Sequence, residues 1–342
     1  MVSERSLEVL RAIIGDYVAT REPVGSKRLV ERYQFGVSAA TIRNDMAALE
    51  EADLIVAPHT SSGRVPTDKG YRLFVDHLAD VRPLTQAQKR AIEQFMEGAI
   101  DPEELLTRSV RSLAQLTGSV AIGHLPSLLE ARIHRIELVA LSPRRLLVVL
   151  ITDSGRVEQR IVDLEHEADE TQFLRLRDIV NERLVGKRLE DAAAELRELS
   201  ADDDLVDDEL GDAASHVLGS LVRQVFANRD DKLIIAGAAN LALSEHDFSS
   251  IFPVLEAIEE QVALVRLVAE LDLDAREVAV SIGHENPGSA LEETSIVAAG
   301  YSSGSGEARL GLLGPTRMDY QRNIAAIRAV ARYLSRIFDA PR

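Results

Sequence analysis

An α+β multidomain chain is the expectation for these 342 residues: an N-terminal winged helix-turn-helix on a larger α/β body that a largely helical block interrupts. Three observations predict it. Three short helical patterns and a Gly-bearing hairpin follow one another inside the first eighty residues. The hydrophobic period changes from helical to alternating at about residue 119. Charge is also uneven: residues 1–82 hold 11 basic and 12 acidic residues, and the rest of the chain holds 28 and 44.

The elements follow in order. Leu7, Leu10, Ile14 and Tyr17, with Val18, fall at helical spacing and predict a helix over 3–20. Arg21 to Gly25 breaks it. Ser26 is expected to cap a second helix that buries Leu29, Val30 and Tyr33. A tight turn, Gln34 to Val37, leads to Ser38, which is expected to cap a third helix. Its line Ile42, Met46, Leu49 faces inward, and Thr41, Arg43, Asn44 and Asp45 face outward. Leu54–Val56 and Val65–Thr67 read as the two strands of a hairpin whose tip is His59 to Arg64. A further helix surrounds Tyr71–Val75. Residues 83–103, with Pro83 and Pro102, read as a linker containing one helix. Strands are expected at 119–125, 133–141, 145–152 and 156–162, with turns at Ser142-Pro143 and Asp153-Ser154-Gly155. Residues 165–230 are helical and acidic. A short strand at 233–235 follows, then strands at 277–282, 295–301 and 309–313. A last helix over 319–338 turns Ile324, Ile327, Ala331, Leu334 and Phe338 inward.

Composition removes several function classes. The chain has no Cys, which excludes disulfides, thiol catalysis and Cys-ligated metal. Aromatic residues are 4% with no Trp, so there are few platforms for stacking single-stranded bases. The longest aliphatic run, Leu146–Ile151, is about a third of the ~20 residues that span a bilayer. The N-terminus carries acid and no apolar h-region, and a cytoplasmic protein is expected. The net charge of −17 opposes phosphate contacts when taken as a sum. The near-neutral head still permits them if its cations share a face.

The segment from Ser38 to Leu49 carries the most chemistry. A recognition helix must let its backbone into the major groove, and Ser38, Ala39, Ala40 and Thr41 are small enough to do so. Arg43 and Asn44 follow outward; Arg pairs with guanine and Asn with adenine, each contributing about 1–3 kcal/mol of discrimination. The plain alternative is an amphipathic helix with a solvated face; the hairpin directly behind it favours DNA. At its tip, His59, Thr60, Ser61, Ser62 and Arg64 are candidates for phosphate or minor-groove contacts. Catalytic patterns are absent or incomplete. His166-Glu167 lacks a second His at zincin spacing. The run Asp202 to Glu209 lacks the Gly and Glu positions of a Ca²⁺ loop and reads as a solvated helix boundary. Gly304-Ser305-Gly306 has no phosphate-loop spacing and reads as a hairpin loop. Gly283-His284-Glu285-Asn286-Pro287 reads as a strand-end turn. No catalytic residue, metal ligand or cofactor is expected.

Several segments together resemble a known family. Gly25-Ser26-Lys27, the run Val37 to Met46, the run Pro58 to Tyr71, Gly283 to Pro287, and Leu313-Gly314-Pro315-Thr316-Arg317-Met318-Asp319-Tyr320 are similar, in order, to the heat-inducible transcription repressor HrcA family. The Thr41-Ile42-Arg43-x-Asp45 element is shared with other winged-helix repressors. The wing block and the Gly314–Tyr320 block are the specific ones. The family usually has Glu where this chain has His284.

The resemblance implies a homodimer that represses chaperone operons by binding an inverted-repeat operator in double-stranded DNA, releases it on heat stress, and depends on the GroE chaperonin. No membrane partner is implied. It adds Ser26 and Lys27 to the DNA-facing set. It also implies the division 1–82 winged helix-turn-helix, 83–103 linker helix, 104–167 with 265–342 a GAF-like domain, and 168–264 an inserted dimerisation domain. An alternative stays open: a metabolite-responsive winged-helix repressor whose GAF-like domain senses a small ligand.

Overall fold

The computed structural model describes residues 3–59, 62–78, 84–96, 98–99, 102–125, 131–153, 155–201, 211–227, 232–260, 264, 267–268, 271–274, 277–286, 289–302 and 307–338. Thr60, Ser61, Pro83, Ser154, Asp202–Glu209, Pro287 and Gly304–Gly306, singled out from the sequence, lie outside them.

The N-terminal unit runs α1 (Glu4–Thr20), α2 (Ser26–Arg32), α3 (Ala39–Glu51), β1 (Ile55–Val56), β2 (Val65–Pro66) and α4 (Asp68–Asp76). Ser3 caps α1 by accepting the Ser6 amide. Val9, Leu10, Ile13 and Ile14 of α1 bury in one core with Leu29, Ile42, Met46 and Leu49. Ser26 does not cap α2: Gly25 holds that position without a side-chain bond, and Ser26 is the first helical residue. In the wing, Ile55 lies opposite Pro66 and Val56 opposite Val65. Val24 adds a third rung through two 2.9 Å backbone hydrogen bonds with Arg64. Gly63 is required by that approach, because a Cβ there would lie 2.6 Å from the Val24 carbonyl carbon.

Two helices then lead into the body, α5 (Gln86–Met96) and α6 (Pro102–Thr117). The linker helix was expected; α6 has no counterpart among the expected elements. The body sheet has five strands, β3 (Val120–Leu125), β7 (Lys232–Ala236), β8 (Val278–Ile282), β9 (Thr294–Ser302) and β10 (Glu307–Pro315), in the spatial order β7-β3-β10-β9-β8. All four pairings are antiparallel, for example Leu312 opposite both Ala121 and Val297. Alternate residues therefore serve two cores. Val297, Leu310 and Leu312 face α6 and the last helix, α12 (Tyr320–Phe338). Val120, Ile122, Ile296 and Leu313 face a second layer containing α10 (Ala239–Ala242) and α11 (Phe252–Glu259).

The interrupting block is larger than its helical stretch. Strands β4 (Ile133–Ser142), β5 (Arg145–Thr152) and β6 (Val157–Asp163) form a separate three-stranded antiparallel sheet, not part of the body sheet. One face of it packs on α7 (Glu170–Leu184), α8 (Leu189–Ser200) and α9 (Gly211–Ala227), burying Ile136, Val148 and Leu150 with Phe173, Leu196 and Leu221. Residues 131–225 thus share a core of their own, and the structure departs from the expected boundary at 168. The reason is that alternation specifies strands but not which sheet they join.

Candidate nucleic-acid interface

The first turn of α3 is built to be presented. Gly36 takes a positive φ of 68°, which turns the chain between α2 and α3. The Ser38 side chain then accepts the Thr41 amide at 3.2 Å and caps α3 as expected. Ile42, Met46 and Leu49 are buried; Ala40, Arg43 and Asn44 are exposed, and Ala39 and Thr41 half-exposed. No hydrogen bond or ion pair engages the Arg43 or Asn44 side chain among the described residues. Small residues on the leading turn, followed by two free hydrogen-bonding side chains, can enter a major groove.

Asp45 departs from the expected outward face. It is only 6% exposed, and Arg5 grips it with both guanidinium arms, at 2.8 and 3.1 Å, while Ser6 donates at 3.2 Å. Position 45 lies three residues from Ile42 and four from Leu49, so it shares their buried stripe. The Arg5 hydrogen bonds hold the Asp45 carboxyl below its ordinary range. Three turns further along α1, Arg28 and Arg32 of α2 both reach the buried Asp16. Ser26 is half-buried at the start of α2, and Lys27 beside it is exposed and unpaired among the described residues.

The described part of the wing is a closed turn. Ser62 Oγ donates to the His59 carbonyl at 2.7 Å and accepts the His59 amide at 3.0 Å. His59 is exposed at this edge. Arg64 is not the free tip cation that the sequence suggests. Its guanidinium lies at 2.9 and 3.0 Å from Glu50 of α3, so it fixes the wing's angle to the recognition helix.

The two C-terminal motifs singled out by resemblance meet the winged helix from behind. Gly283 has a φ of 55°, and a Cβ there would sit 1.9 Å from an Asp68 carboxylate oxygen, so only Gly admits this approach. His284 Nδ1 lies 2.8 Å from Asp68 Oδ2, and that hydrogen bond raises the imidazole pKa. Arg72 Nε donates to Glu285 at 2.8 Å, and its Nη2 reaches both Glu285 and the Val280 carbonyl. Asn286, buried, donates to the Thr294 carbonyl at 2.8 Å and anchors the turn to β9. In the second motif, Arg317 pairs with Asp247 through two 2.8 Å contacts and donates to the Val18 carbonyl at 3.0 Å. Tyr320 places its ring 5.6 Å from that of Tyr71. The sequence marked the Gly314–Tyr320 block as specific without revealing this role; the winged-helix partners Asp68, Arg72, Tyr71 and Val18 lie more than 200 residues away along the chain.

Among the described residues, Glu165, His166 and Asp212 bring possible ligand atoms within 4.8 Å of one another; Glu165 and His166 are exposed, and Asp212 already accepts the His166 amide at 2.8 Å and lies 3.1 Å from His216 Nδ1. No helix described is long and apolar enough to cross a membrane.

Comparison with known proteins agrees with this division of labour. A DeoR-like helix-turn-helix domain matches residues 11–61, and the HrcA protein C terminal domain matches residues 103–324. The chain is 58% identical to the heat-inducible transcription repressor HrcA of Clavibacter michiganensis subsp. michiganensis, covering 99% of each chain. It is 58% identical to that of Leifsonia xyli subsp. xyli, covering 98% of this chain and 99% of the relative. A crystal structure described only as that of a hypothetical protein superposes with a TM-score of 0.73 at 25% identity, covering 99% of each chain. From its wing to its last helix, this chain belongs to the HrcA family.

Proposed function

We propose that the protein is a cytoplasmic heat-inducible transcription repressor which binds an inverted-repeat operator upstream of chaperone operons as a homodimer and releases it on heat stress. The observation that carries this is the exposed leading turn of α3 with the Arg43 and Asn44 side chains unpaired among the described residues, set beside a wing joined to it by Arg64–Glu50. Arg43 and Asn44 read base edges; Ser38, Thr41, Ser26 and Lys27, with His59 to Ser62 of the wing, contact the backbone. The acidic body is repelled by DNA and limits non-specific binding. The role is regulatory and not catalytic.

Two features support the finer parts of the reading. An antiparallel five-stranded sheet with helices on both faces suits a GAF-like body. The outer face of the β4–β6 sheet suits the dimer contact: Val139, Leu147 and Ile161 form one cross-strand row on it, and Val139 and Ile161 are 45% and 60% exposed. Soluble chains rarely leave such a patch uncovered, and a second copy would cover it. The winged helix meets the body through a shared apolar core and the polar contacts of Asp68, Arg72 and Arg317. Heat that loosens either interface would separate the paired recognition helices, and chaperonin-assisted refolding would restore them. A gel-shift titration tests the reading. Arg43→Ala should weaken operator binding by about 1–3 kcal/mol and relax base preference, with random-sequence binding little changed. Unchanged operator affinity in that variant would refute it.

A further inference from the structure

The last helix carries a feature that repression does not use. Arg328, Arg332 and Arg336 recur every fourth residue of α12 and form one stripe about 12 Å long. The stripe faces the linker helix α5, and between the two helices lies a cavity of about 520 Å3. Its rim holds Lys89 from α5 together with the three arginines, against a single carboxylate among the described lining residues, Glu93, at 3.7 Å from Arg336. Its walls are apolar, formed by Leu84, Ile92, Ala325 and Ala329, with Tyr333 beside them. Arg336 already lies over the Tyr333 ring, 5.1 Å from its centre. The side chains of Lys89, Arg328 and Arg332 make no hydrogen bond or ion pair among the described residues.

Such a concentration runs against the rest of the molecule. The chain has 56 acidic and 39 basic residues, and several described cations elsewhere in the body pair with carboxylates, as in Arg317–Asp247, Arg177–Asp178 and Arg183–Glu195, while Arg309 is held by the Val268 and Leu271 carbonyls. Like charges four residues apart on a helix repel each other unless an anion sits among them. The cavity volume is that of a small-molecule pocket, and the combination of apolar walls with a cationic rim calls for a ligand with one flat apolar part and one polyanionic part.

We propose that this cleft binds a nucleoside di- or triphosphate, its phosphates held by Lys89, Arg328 and Arg332 and its base lying against Ile92 and Ala329. The ligand would bridge α12 of the body and the helix that leads out of the winged-helix unit. It would thereby fix the path between the DNA-binding head and its regulator. The site is separate from the DNA-facing residues, and it is tested on the DNA-free protein, so its failure leaves the repressor reading untouched.

The experiment is calorimetric titration and thermal unfolding of the full chain with ATP, ADP, adenosine, tripolyphosphate and inorganic phosphate. ATP and ADP should bind saturably below about 1 mM and raise the unfolding midpoint. Adenosine and inorganic phosphate should bind more weakly. The double variant Arg328→Gln/Arg332→Gln should lose roughly tenfold or more in ATP affinity, with its unliganded midpoint no lower than that of the wild type. Lys89→Gln, at an exposed position, should weaken ATP in the same direction and guards against a folding defect in the pair. No saturable binding by ATP or ADP, or equal binding by wild type and all variants, overturns the proposal. Equal affinity for tripolyphosphate and ATP overturns the place given to the base. If instead the variants change the sedimentation coefficient without altering ligand binding, the stripe is a contact between subunits and the assignment falls.

Discussion

At residue scale, Asp45 shows how one side chain can belong to a polar-looking face and still be structural. Its neighbours Arg43 and Asn44 point to solvent, whereas Asp45 turns under α3 to meet Arg5 and Ser6 of α1. Arg5 is about half exposed, so water screens part of the attraction. The hydrogen bonds to a nearly buried carboxylate still matter, and Asp45→Asn should destabilise the protein by about 1–2 kcal/mol. The pH dependence has a definite sign. Because the folded carboxyl is held below its ordinary 3.8, its contribution is complete above that value and is lost as the pH falls below it. The acid limb of the unfolding curve should therefore be shallower in Asp45→Asn than in the wild type. Identical acid limbs would show that the Arg5 pair contributes nothing. Arg43→Ala, by contrast, should leave unfolding untouched and change only DNA affinity.

Elements decide how the head is aimed. Helix α4 is only nine residues long, yet Asp68 at its start and Arg72 one turn on hold the turn that follows β8. Gly283→Ala places a methyl group where the Asp68 carboxylate sits, at a backbone conformation unfavourable to Ala. A loss of about 1–3 kcal/mol in the docking of the turn is expected. Hydrogen exchange should quicken in α4 and around β8 while α7–α9 keep their protection. Unaltered exchange at α4 would show that the turn does not hold the head. Arg64–Glu50 plays the corresponding part inside the head, joining the wing to α3.

For the whole molecule, three hydrophobic cores describe the division of work. One runs without a break from α1 of the winged helix through α6 to α12, so head and body are joined by apolar packing as well as by ion pairs. The core of residues 131–225 is separate, and that independence fits a unit that pairs with a second copy. Ile161→Glu would put a charge at the β6 end of the exposed cross-strand row. We expect sedimentation to show monomers, with operator affinity reduced because one winged helix makes too few phosphate contacts. A variant that remains dimeric places the contact on another face.

Residue spacing alone specifies the local elements. Spacing of Ile42, Met46 and Leu49 gave α3, Ser38 gave its cap, and alternation placed β4 to β6 and β8 to β10 within a residue or two, because local periods depend on which face is buried. The polar recognition face was legible for the same reason, and so was the family, from the blocks Pro58–Tyr71 and Gly314–Tyr320. Tertiary structure alone decided the partners of those blocks. No local rule links Asp68 to His284 or Arg317 to Val18, assigns β4–β6 to a sheet of their own, or folds Arg64 back onto Glu50. The first two join residues more than 200 positions apart, and all of them exist only once the cores have closed and brought the surfaces together.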